Sequence, residues 1–140
     1  MELVFIILGL LGLSRISPKR IATCKSKSIK NKTTSSPREY EQYCASLLNN
    51  MGYRAVVTPV GPDDGVDIMV YDPAGNFIGI AECKRWSYPV NVKTIKAFYA
   101  TMQAKYVSKG WVFALNGFTL PAKKFVDCLN VEINLLTCKP

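Results

Sequence analysis

The sequence predicts an α/β domain, a mixed β-sheet flanked by helices, on three observations. Apolar residues at helical spacing alternate with short β-rich runs, in the order α-β-β-β-α-β-α-β. One late run, 111–115, is apolar throughout, as suits a strand buried on both faces. With 140 residues and no visible internal repeat, the chain has room for one domain.

The elements follow in order. Ser36-Pro37-Arg38-Glu39 has the parts of a helix start: a capping hydroxyl, proline at the first helical position and a glutamate three residues on. Tyr40, Cys44, Leu47, Leu48 and Met51 then form one apolar face, and Gly52 ends the helix. A first strand covers 53–58, and Pro59 with the turn-rich 61–65 breaks it. Second and third strands at 66–71 and 77–84 flank a turn at 72–76. A second helix starts at Val92 and is stopped by Gly110; the strand 111–115, a helix over 120–129 and a last strand over 131–136 complete the domain.

The net charge of +8 is unevenly spread. Residues 1–38 carry eight basic side chains against Glu2 alone, whereas the rest carry ten against nine acidic ones. The basic balance therefore reports a tail, and a nucleic-acid partner has to be argued from the domain itself. Five scattered cysteines without a CxxC make a poor disulfide framework, so buried reduced thiols are expected. The chain has no histidine. That excludes His-based triads and HNH-type chemistry and disfavours a zinc cluster. Any hydrolysis must run on carboxylates, lysine and a metal.

The amino terminus divides into an apolar segment, 1–13, and a basic, Ser/Thr/Lys-rich stretch, 14–36. The run from Leu3 to Leu13 is shorter than the roughly 20 residues that cross a bilayer as a helix. It is either a short membrane anchor, with its basic flank on the cytoplasmic face of the inner membrane, or a start-site artefact, or a helix that packs on a partner. The stretch 14–36 cannot bury enough apolar area to offset its ordering entropy, so a flexible linker is expected, with the domain at 37–140.

The chemistry concentrates on the hairpin. Its turn centres between Ala74 and Gly75, so an unbulged register sets Asp67 opposite Glu82, with Cβ atoms roughly 5 Å apart. Alternation puts Lys84 on the same face and turns Cys83 the other way, into the core. Two opposed carboxylates repel unless something compensates. Mg²⁺ does so, because it binds through one or two carboxylates together with substrate phosphate. Lys84 then stands where it can orient or deprotonate water, a set of parts suited to phosphodiester hydrolysis. By itself the Asp…Glu-x-Lys pattern is weak and more readily describes a hairpin with a solvated polar face.

Residues 37 to about 136 resemble the restriction-endonuclease-like PD-(D/E)xK domain of the Mrr type, the type IV restriction endonuclease family. The likeness rests on Arg38-Glu39-Tyr40-Glu41 through Leu47-Leu48 to Met51-Gly52-Tyr53, then on Asp63-Asp64-Gly65-Val66-Asp67. It continues in Glu82-Cys83-Lys84-Arg85-Trp86 with Pro89-Val90, and in Gly110, Gly117-Phe118-Thr119 and Ala122. The resemblance implies a Mg²⁺-dependent DNA endonuclease, with Mn²⁺ as a substitute, acting on foreign or modified DNA. It implies Asp67, Glu82 and the Cys83 carbonyl as metal ligands and Lys84 as the catalytic lysine. Glu41 would reach the site behind them, although a solvated helix charge explains it as well.

Arg85, Trp86, Lys93 and Lys96 flank the site and are the expected DNA contacts, the cations by neutralising backbone phosphate, although a place in the core or at its rim explains Trp86 as well. Cutting both strands would call for a homodimer. The competing expectation is a non-catalytic, membrane-tethered DNA-binding module on the same fold; intact Asp67, Glu82 and Lys84 favour the enzyme.

Overall fold

The computed structural model describes residues 21–24, 36–59 and 65–140. The elements in order are β1 (Ile21–Cys24), α1 (Pro37–Asn50), β2 (Arg54–Val57), β3 (Ile68–Tyr71), β4 (Phe77–Lys84), α2 (Val92–Ala104), β5 (Lys109–Ala114), α3 (Leu120–Asp127) and β6 (Glu132–Cys138). The strands form one sheet in the order β1-β6-β5-β4-β3-β2. Pairing is antiparallel across β2, β3 and β4 and parallel from β4 through β5 and β6 to β1. The expected mixed sheet is therefore present, with one more strand than the sequence suggested.

Alternation gives each face of the sheet its own core. Ile68, Val70, Ala81, Trp111, Phe113 and Leu136 pack with Tyr40, Cys44 and Leu48 of α1. Ile80, Val112, Ile133 and Leu135 pack on the other face with Ile95, Phe98 and Met102 of α2 and with Ala122 and Val126 of α3. β5 supplies residues to both cores and is buried from Gly110 to Ala114, as its unbroken apolar run requires.

Helix ends follow the expected chemistry. Ser36 accepts the Glu39 N–H at the start of α1, and Asn91 and Thr119 accept the N–H groups of Thr94 and Ala122 at the starts of α2 and α3. Gly110 acts differently from its expected part as a helix stop. α2 ends at Ala104, and Gly110 lies within β5. A Cβ there would stand 2.7 Å from Met102 Sδ and 2.7 Å from Phe98 Cε1. Its lack of a side chain lets the helix close on the strand.

The amino-terminal stretch brings two corrections. Ile21–Cys24, inside the expected linker 14–36, pairs in parallel with β6 and forms one edge of the sheet. That register sets Cys24 opposite Cys138, with Cα atoms 4.9 Å apart, and the two are joined in a disulfide. The expectation of buried reduced thiols thus holds in full only for Cys44; Cys83 and Cys128 are also outside any disulfide, but Cys83 is half-buried and Cys128 exposed. A composition-based argument could not see this, because the strand gains its order from the edge of β6 and from the bond, not from a core of its own. The apolar segment 1–13 and most of 14–36 lie outside the described residues. Among the described residues no helix is long and apolar enough to cross a membrane.

Candidate active site

β4 has eight residues and β3 only four, so the end of β4 outruns its hairpin partner. The register Ile68↔Ala81, Met69↔Ile80, Val70↔Gly79 is the expected one; the only shift falls between Val70 and Tyr71, on the turn side. One step beyond Ile68, Asp67 stands across from Glu82 as anticipated, just outside the strand. The Asp67 N–H donates to Ala81 O at 3.2 Å. The Asp67 carboxylate then takes over the work of a strand: Oδ2 accepts the N–H of Cys83 at 2.7 Å. In extended backbone the N–H and C=O of one residue share an edge, so the Cys83 carbonyl also faces this side, past the end of β3.

Glu82 and Lys84 project on the same face, and Lys84 Nζ lies 2.6 Å from Glu82 Oε1. Both are largely withdrawn from water, with Glu82 at 14% side-chain exposure. Burial raises the Glu82 pKa; Lys84 opposes this by hydrogen bond and charge, and the Asp67 charge adds to it. Lys84 therefore offsets only part of the cost of burying Glu82. Cys83 points to the opposite face, as expected, and packs against the α1-side core. Its thiol is pushed well up by hydrogen bonding with Cys44 and by burial.

Glu41 lies on α1, ion-paired to Arg38 at 3.3 Å, and shares a cleft of about 240 Å³ with Cys83, Lys84, Arg85 and Trp86. Three residues that the sequence reading did not place at the site shape it. Thr58 donates its N–H to Asp67 O at 2.9 Å and its hydroxyl to Val66 O at 2.8 Å. Arg38, counted with the basic arm, donates to Thr58 O and so ties α1 to the segment that carries Asp67. Asn116 donates to the main-chain oxygen of Trp86. Only Arg38 had a sequence signal, its place in Arg-Glu-Tyr-Glu.

This geometry meets an independent finding. A family model described as a restriction endonuclease, Mrr_cat, matches residues 33–139. The chain belongs to the Mrr_cat restriction endonuclease family. Among solved structures, a protein of unknown function named AF1548 is 22% identical, with a TM-score of 0.53 over 69% of this chain and 56% of that one. The protein of an EndoMS–dsDNA2 complex is 19% identical, with a TM-score of 0.50 over 84% of this chain and 50% of its own. A repair endonuclease from Pyrococcus abyssi is 20% identical, with a TM-score of 0.47 over 80% and 50%. The first two support the fold, and the chain spans about half the length of these solved chains. No curated protein matches it.

A Mrr_cat domain is a nuclease domain, and its donor set can be tested against a metal. Among the described residues no cluster of three or more His, Cys, Asp or Glu side chains is placed to hold an ion. A hard cation such as Mg²⁺ does not need one, since one or two carboxylates with water and phosphate suffice. Asp67, Glu82 and the Cys83 carbonyl offer oxygen donors only, and the Glu82 carboxylate is withdrawn from water beside the Asp67 charge. The residues fit such an ion.

The expected DNA contacts separate. Arg85 and Trp86 line the cleft beside Lys84. Lys93 and Lys96 are exposed on α2, and Lys96 Nζ lies over the Phe125 ring of α3, 5.5 Å from its centroid. That places Lys96 at the seam between the two helices.

Proposed function

We propose that the domain hydrolyses DNA phosphodiester bonds with a divalent cation, Mg²⁺ by preference and Mn²⁺ as a substitute. The observation that carries this reading is the convergence of Asp67, Glu82 and Lys84 where β4 outruns β3. Asp67, Glu82 and the Cys83 carbonyl would hold the ion. A cation bound there polarises a phosphoryl oxygen and makes water more acidic.

The chain's own groups do the rest. The hydrogen bond from Cys83 N–H fixes the Asp67 carboxylate before any ligand arrives, which lowers the reorganisation left for the reaction. Lys84, held against Glu82 at 2.6 Å, would present its ammonium to the attacking water and to charge growing on the phosphate. Arg85, beside it in the cleft, neutralises the DNA backbone without reading sequence. Glu41, which lines the same cleft as Lys84, orients that lysine.

The test is cleavage of supercoiled and linear DNA by the full chain in Mg²⁺, Mn²⁺ and EDTA, beside Lys84→Ala. Metal-dependent nicking that disappears in Lys84→Ala is expected. Salt-sensitive binding without cleavage, unaffected by Lys84→Ala, would make the chain a non-catalytic DNA-binding module.

A further inference from the structure

We propose that Trp86 and Tyr88 form a stacking platform for an unpaired nucleobase, so that the domain engages DNA with an unstacked nucleotide in preference to a fully paired duplex. The platform's position beside the scissile phosphate rests on the nuclease reading; the platform itself rests on separate observations.

The Trp86 and Tyr88 rings are stacked, with centroids 5.1 Å apart and planes 26° from parallel. Trp86 is half-buried against the α2–α3 core. Tyr88 is 55% exposed, although it belongs to the large side chains that usually bury. One ring face of Tyr88 is thus turned to Trp86, and about half of the residue stays open to solvent.

The loop that carries the pair is held firmly. Asn116 donates to Trp86 O. Val90 N–H donates to Gly117 O at 2.9 Å, and Thr119 N–H donates to Val90 O at 3.0 Å, so the segment is sewn to the loop after β5 at both ends. A ring fixed in advance loses little freedom on binding, which is what makes an aromatic platform effective.

Charge complements the rings. Lys84 Nζ lies over the Trp86 ring, 5.1 Å from its centroid, and Arg85 lines the same cleft. Aromatic faces interleaved with cations suit a nucleic-acid strand, whose bases stack while its phosphates meet the cations. A duplex offers base faces only at its ends, and elsewhere a base must first be unstacked and unpaired. A single strand, a frayed end or a mismatch presents its base at lower cost. The preference for unpaired nucleotides follows from that difference.

Binding is measured on the full chain in EDTA, so that no cleavage intervenes, by fluorescence anisotropy of a labelled oligothymidylate and of a blunt duplex of matched length. The variants are Tyr88→Leu and Tyr88→Phe, each checked for an unchanged melting temperature. The single strand should bind more tightly than the duplex. Tyr88→Leu should weaken single-strand binding by about ten-fold, the size expected for loss of one stacked base. It should leave duplex binding unchanged, and Tyr88→Phe should match the parent chain. Equal loss on both DNAs, no loss on either, or no binding at all would overturn the platform. Failure of the nuclease reading looks different: discrimination in EDTA persists while no DNA is cut in Mg²⁺.

Discussion

The Asp67 side chain stands in for a missing strand residue: its Oδ2 accepts the Cys83 main-chain N–H at 2.7 Å, one step past the last β3–β4 pair. The same carboxylate is thereby both part of the sheet and a candidate cation ligand. The two roles come apart under substitution.

Asp67→Asn keeps an acceptor for Cys83, so the fold should lose little. Asp67→Ala leaves that N–H unpaired at the half-buried end of β4 and should cost about 1–3 kcal/mol. Both variants should lose cleavage. Urea denaturation beside a nicking assay separates them, and equal stability of the two would show that the hydrogen bond contributes nothing.

Glu82 links stability to pH in the absence of metal. Its folded pKa is raised, chiefly by burial. Its contribution to stability is therefore complete below the unfolded value of about 4.3 and is lost as pH rises through the folded value. In EDTA at neutral pH, Glu82→Gln should melt higher than the parent chain, and the two curves should converge below the unfolded value. Addition of Mg²⁺ should raise the melting temperature of the parent and not of the variant. A Glu82→Gln chain that melts lower at neutral pH would contradict this.

Gly110 is a packing residue. The Cβ of Gly110→Ala would meet Phe98 and Met102 at 2.7 Å, inside the core between β5 and α2. Overpacking of this kind costs about 1–3 kcal/mol. Thermal melting measures it, and a neutral outcome would mean that Met102 swings aside freely.

The cysteines should divide three to two. Thiol titration of the unfolded, unreduced chain should find Cys44, Cys83 and Cys128 and two more only after reduction. Five reactive thiols at the outset would return Cys24 and Cys138 to the reduced state.

Much of this was written in the sequence. Ser36-Pro37 and the apolar face from Tyr40 to Leu48 specify α1 locally, because capping and helical spacing involve only near neighbours. The wholly apolar 111–115 announces a central strand, and the turn at 72–76 fixes the β3–β4 register, since the period of a strand is two and a slip would turn every side chain over. With the register came the pairing of Asp67 with Glu82, the shared face of Lys84 and the inward turn of Cys83. The motif residues then named the family.

Tertiary structure decided what depends on partners distant in the chain. β1 forms because the edge of β6 offers it hydrogen bonds, and Cys24 meets Cys138 only through that parallel register, 114 residues apart in sequence. Gly110 is a close-approach glycine because Phe98 and Met102 arrive from α2. Arg38 and Thr58 hold the Asp67 segment because α1 docks beside it. Tyr88 stays exposed because Trp86, not the core, receives its ring. Local pattern fixes elements and register, since both are set within a few residues; which distant groups touch is set by packing, and no short-range pattern carries it.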